Sequence, residues 1–190
     1  MASGTRRVVG VTGAPGVGKT TYALSLVAVS DIPAAYLPMD GFHLADATLR
    51  ALGRLDRKGA PDTFDAWGYA ALLRRVREER GHVVYAPGFE RDLEQPIAGA
   101  LDVSPETELV VTEGNYLLLD RPEWRAVRAE LDEVVHLETD HAVRRRRLVA
   151  RHVEFGKTPA EAEAWVARVD DANAALVAAA AHRADRVVRL

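Results

Sequence analysis

Residues 8–11, Val8-Val9-Gly10-Val11, form a short β-branched run that leads into Gly13-Ala14-Pro15-Gly16-Val17-Gly18-Lys19-Thr20. From Lys19 onward Tyr22, Leu26 and Val29 recur at helical spacing. The pattern predicts strand, loop, helix. The loop fits G-x-x-x-x-G-K-[ST], and few segments constrain a fold as tightly. Its glycines let the backbone turn N–H groups inward, at the positive end of the helix dipole, where a phosphate would lie. Gly13, Ala14, Pro15, Gly16, Val17, Gly18, Lys19, Thr20 and Thr21 are therefore the expected ATP contacts. Lys19 should reach the β- and γ-phosphates, and Thr20 should offer its hydroxyl to Mg²⁺. A glycine-rich turn with no ligand is the plain alternative.

The remaining pattern alternates strands and helices. A second strand is expected at 34–39, stopped by Asp40-Gly41. A surface loop at 53–65 ends on Asp65 as an N-cap, followed by a helix bearing Tyr69, Leu72, Leu73 and Val76 that stops at Gly81. A brief strand at 83–86 is cut by Pro87-Gly88, and 109–112 reads as a strand buried on both faces. Helices near 122–131, 140–155 and 159–183 and strands at 133–137 and 186–190 complete the series. The implied fold is α/β: a three-layer P-loop NTPase fold with a mainly parallel sheet and a helical lid near 140–160, all in one domain over 1–190.

Composition narrows the partners. The 190 residues are 48% hydrophobic and 28% charged, with a formal net charge of −3 and no cysteine. That excludes disorder, a basic nucleic-acid footprint, disulfides and thiol chemistry. Arg6-Arg7 precedes an apolar stretch as in a signal peptide, but the glycine-rich loop interrupts it, so a cytoplasmic protein is expected. The expected partner is a small-molecule substrate, with no nucleic acid and no membrane; a homodimer is compatible with the sequence.

A GTPase would need a base-reading N-K-x-D segment, which is absent; Asp56-Arg57-Lys58-Gly59 fits D-x-x-G but follows no strand. A mononucleotide kinase would need arginines beside the acceptor, whereas a hydroxyl kinase needs a base. Asp40, at the carboxyl end of the second strand, is where an open α/β sheet places its ligands. It could accept a hydroxyl proton, or simply cap its own turn. Glu113 ends the buried strand and is the candidate Mg²⁺ ligand with Thr20, and a substrate contact.

Asp40-Gly41-Phe42-His43, then Arg57-Lys58-Gly59-Ala60-Pro61-Asp62-Thr63-Phe64-Asp65, then Glu113-Gly114-Asn115-Tyr116, resemble the uridine kinase, phosphoribulokinase and bacterial pantothenate kinase group of P-loop kinases. The first two blocks look most like the pantothenate kinase branch. The resemblance implies that Asp40 is the catalytic base and that Glu113 is the acid of the E-G-x-[NH] block. Uridine kinases usually carry S-F-Y and an Arg-Asp pair where this chain has Gly41-Phe42-His43 and Arg151-His152. Residues 85–91 resemble a substrate-contacting stretch of short bacterial kinases.

The run Arg144 to Arg147 can be sharpened by helical geometry. Arg144, Arg147 and Arg151 share one stripe, opposite a seam of Ala142, Val149 and Val153. The expectation is that the seam faces the core and the stripe faces away. Arg147 and Arg151 would then close on the triphosphate as catalytic lid residues, with an inert solvated face as the alternative. His43 and Arg91 are candidate substrate contacts, Arg91 for an acidic or hydroxyl-rich acceptor; a surface or capping histidine and a pair of Arg91 with Glu90 or Glu94 are the bland readings. The function expected is transfer of the γ-phosphoryl group of ATP to a hydroxyl of a metabolite resembling pantothenate, a nucleoside or a sugar. A non-catalytic nucleotide-binding interaction protein, or a mononucleotide kinase, is the alternative.

Overall fold

A computed structural model describes residues 5–190. Five strands, β1 (Arg7–Gly13), β2 (Ala34–Pro38), β5 (Leu109–Glu113), β6 (Glu133–Glu138) and β7 (Arg186–Arg189), form one parallel sheet in the order β2-β5-β1-β6-β7. Helices α1 (Lys19–Ala28), α2 (Asp46–Ala51), α3 (Ala66–Glu78), α4 (Pro122–Ala129), α5 (His141–Glu154), α6 (Pro159–Trp165) and α7 (Asp171–Ala179) lie between and around them. Successive side chains on a strand face opposite ways, and the sheet uses both faces. Val8, Val110 and Val134 join Tyr69, Leu73, Trp124 and Val177 in one core. Val11, Val111 and Val135 pack toward Ala23 of α1 in the other. This is the three-layer α/β architecture expected.

Two departures matter for the site. Pro87-Gly88 does not end its strand: β3 (Val84–Glu90) continues through an irregularity between Ala86 and Gly88 and pairs antiparallel with β4 (Gln95–Val103). Proline removes one ladder donor, which a bulge on a two-stranded ribbon tolerates. The strand β4 gave no signal in the sequence because it alternates poorly and most of its side chains are exposed. The ribbon lies over the turn after β2, where Met39–Phe42 form a 3-10 turn; a Cβ on Gly41 would lie 2.2 Å from the Pro87 carbonyl oxygen. Glycine is required there by close approach of two backbones.

The alanine-rich helix runs unbroken from Pro159 to Ala179, with its hydrogen-bond pattern widened midway. A capping box joining Thr158 and Glu161 opens α6, a π turn spans Val166–Asp170, and α7 follows. The second correction concerns α5. Leu148 and Arg144 are its buried residues, whereas Val153 is 39% exposed and Ala142 is exposed, so the helix is turned opposite to the expected seam. The phosphate loop is itself the packing partner: Leu148 sits where a Cβ on Gly16, at φ +79°, would lie 2.7 Å from its Cγ. The arginine stripe consequently faces the loop.

Candidate active site

The phosphate loop and the strand ends share one cavity of about 530 Å³. Parallel pairing sets this up, because Pro38 is in register with Glu113 and Val11 with Glu113, so the residues after β2 and β5 emerge beside the loop after β1. Gly16, Gly18, Lys19, Thr20, Thr21 and Pro15 line the cavity, as do Asp40, His43, Arg91 and Glu113. Gly13 ends β1 and Ala14 lies on the loop, neither lining the cavity, and Val17 is buried in the core behind α1.

Lys19 is buried, and its Nζ donates to the Ala14 carbonyl at 3.3 Å. Burial lowers its pKa below the ordinary lysine value, opposed by the Glu113 and Asp40 carboxylates. Glu113 Oε1 accepts from the Thr20 hydroxyl at 3.1 Å and from the Tyr36 hydroxyl at 2.9 Å. Burial, then the Asp40 charge, raises the Glu113 pKa. Asp40 goes the other way. Burial opposes its charge, but His43, Arg91 and Lys19 together more than offset that and hold its pKa down. His43 is itself lowered by burial, so near pH 7 the permanent cations facing Asp40 are Arg91 and Lys19. Two carboxylates with divergent proton affinities sit beside one ammonium, an arrangement typical of sites that handle protons or cations.

The arginines divide. Arg144 is not a phosphate residue: it ion-pairs with Asp171 at the start of α7 and reaches the Pro15 carbonyl at 3.4 Å. Arg145 bonds the same carboxylate at 2.7 Å. Arg147 lines the cavity with Nη1 3.4 Å from the Val17 carbonyl, and Arg151 lines it without an ion pair to any described carboxylate. His152 bonds Asp170 of the π turn at 2.8 Å and ties α5 to the returning chain.

The ribbon supplies the opposite wall. Arg91 Nη2 bonds Asp40 Oδ2 at 2.7 Å and its guanidinium lies 5.1 Å from the Phe89 ring centroid. His43 packs between Phe64 at 4.0 Å and Phe89 at 4.8 Å, with Nδ1 2.9 Å from the Asp40 carbonyl. It is thus half of an aromatic wall and not a surface residue, and Arg91 pairs with Asp40 and not with Glu90 or Glu94. Sequence reasoning missed Tyr36 and the Lys58–Asp46 pair at 2.6 Å. Tyr36 occupies an ordinary strand position, and a contact 77 residues away leaves no local trace. Lys58 stands inside the K-G-x-P block, the one signal that could have marked it.

A phosphate cradle opening α1, roofed by a cationic helix and faced by a strand-end carboxylate, defines a P-loop protein of the kinase type. No protein-family model matches the chain. A Schizosaccharomyces pombe protein provisionally named a uridine kinase is 33% identical over 172 residues, 84% of this chain and 72% of that protein. An ATP-dependent kinase-like protein of Aspergillus versicolor is 36% identical over 145 residues, 72% of this chain and 84% of that one. A solved Silicibacter structure, provisionally described as a fructose transport system kinase, matches with a TM-score of 0.90 and 39% identity over 98% of this chain and 91% of that one. The chain belongs to the uridine kinase-like family of P-loop kinases. Among the described residues, no helix is long and apolar enough to cross a membrane.

Proposed function

We propose that this kinase transfers the γ-phosphoryl group of ATP to a hydroxyl of a small metabolite, with Asp40 as the base. The observation that carries this reading is the Asp40 carboxylate, which shares a cavity with Lys19 and the phosphate loop and has one oxygen without a hydrogen bond among the described residues. Arg91 holds Oδ2, so Oδ1 is left to accept the acceptor's proton. Lys19, Arg147 and Arg151 stabilise negative charge on the transferring group, and the loop's N–H groups hold the phosphates in line with the acceptor. The lid formed by α5 and the chain returning through α6 keeps water, a competing acceptor, from the reaction.

The donor set suits Mg²⁺. Glu113 is a buried carboxylate with no side-chain cation bonded to it among the described residues, and the Thr20 hydroxyl lies against it. Two hard oxygen ligands completed by phosphates and water are what this ion ordinarily takes, and the described residues contain no larger His, Cys, Asp or Glu cage. Bound there, Mg²⁺ would neutralise phosphate charge; Thr20 and Glu113 would hold it, with Tyr36 fixing the carboxylate rotamer. The test is acceptor-dependent ADP release from Mg-ATP over nucleosides, pentoses, hexoses and pantothenate. Stimulation by at least one compound is expected. Background rates throughout, with nucleotide binding intact, would mean a binding module.

A further inference from the structure

We infer that the acceptor is a neutral, hydroxyl-rich molecule, and that the Lys58–Asp46 pair helps the enzyme reject anionic ones. This rests on the kinase reading above and adds the acceptor's charge class. The cavity wall contributed by residues 40–94 carries three carboxylates, Asp40, Asp46 and Glu94, and two permanent cations, Arg91 and Lys58. Both cations are engaged. Arg91 pairs with Asp40 at 2.7 Å, and Lys58 pairs with Asp46 at 2.6 Å while also donating to the Glu94 carbonyl. Glu94 forms no ion pair with any described residue, so this stretch of the wall carries one excess negative charge; Lys19, which also faces Asp40, belongs to the phosphate side on the kinase reading.

An acceptor bearing a carboxylate or phosphate would need a cation of its own. It would have to break one of these pairs or lie beside an uncompensated carboxylate, and both choices weaken its binding. Hydroxyls have the opposite fit, since each carboxylate oxygen accepts an O–H without a change in net charge. Phe89 and His43 add an aromatic wall against which the C–H face of a sugar ring can lie. Glu94 lines this wall from a left-handed backbone, φ 53°, the sole such non-glycine conformation among the described residues.

The experiment compares matched acceptors that differ by one charge: glucose with glucuronate, ribose with ribose 5-phosphate, uridine with uridine monophosphate, together with pantothenate. The readout is kcat/KM for ADP release at saturating Mg-ATP. The neutral member of each active pair is expected to exceed its charged counterpart by at least ~10-fold. A charged member or pantothenate turned over more efficiently than every neutral compound would overturn the inference and leave the kinase reading standing. No turnover of any compound would overturn the kinase reading, and this inference with it. A second arm uses Asp46→Asn, which leaves Lys58 without its carboxylate partner. It should narrow the neutral-over-anionic ratio by ~5-fold or more; an unchanged ratio would remove the pair from any role in selectivity.

Discussion

Replacing Arg91 by methionine isolates the electrostatic part of the proposal. Arg91 contributes to the low pKa of Asp40 both as a charge and as a hydrogen-bond donor, through one contact of 2.7 Å. An adjacent opposite charge shifts a carboxylate by roughly 1–3 pKa units. The side chains are 42% and 26% exposed, so solvent screening keeps the effect at the low end of that range. The sign follows from the active form. A base works ionised, so a depressed pKa extends activity to lower pH, and removing the cation raises the pH at which activity is lost. The assay is the pH profile of kcat/KM for the best acceptor at saturating Mg-ATP, whose acid limb reports the free enzyme's base. The acid limb is expected to move to higher pH in Arg91→Met. A lower plateau with an unmoved limb would refute the reasoning and leave Arg91 as an acceptor contact alone.

Two stability predictions test the scaffold. Arg6 is fully buried and donates to the carbonyls of Thr107, Val76, Glu79 and Ser104, with contacts of 2.6–3.0 Å. Arg6→Ala leaves several buried acceptors unpaired, so a loss of ~3 kcal/mol or more is expected in urea unfolding, against ~1 kcal/mol if water re-solvates them. Gly41→Ala drives a methyl into the Pro87 carbonyl and should destabilise by ~2 kcal/mol or more while lifting the ribbon off Asp40, so thermal unfolding should fall together with turnover. Tyr36→Phe removes one donor to Glu113, which should raise the Glu113 pKa further and increase the Mg²⁺ concentration needed for half-maximal activity; an unchanged requirement would separate Glu113 from the metal.

The parallel sheet and the phosphate loop were legible because each is a local pattern: a β-branched run, a glycine turn, a helical period. Asp40 and Glu113 were legible for the same reason, since strand ends in an open α/β sheet converge. The ribbon was half hidden, because Pro87 reads as a terminator and only pairing with β4 allows the strand to continue past it. The arginine stripe was found with its orientation reversed. Helical periodicity separates two faces but does not say which one meets a neighbour, and here the neighbour is the loop at Gly16, which presents backbone in place of a side chain. Pairings such as Arg144 with Asp171 and Tyr36 with Glu113 join residues far apart in the chain and depend on the assembled fold.

The account stands on a carboxylate that takes a proton from the acceptor next to a bound triphosphate. Asp40→Asn keeps the shape and removes the charge, so turnover with the best acceptor and ATP affinity by calorimetry should be measured on the same preparation. The expected result is ATP affinity within a few-fold of the parent and kcat lower by ~10²–10⁴. Undiminished kcat in that variant would contradict it.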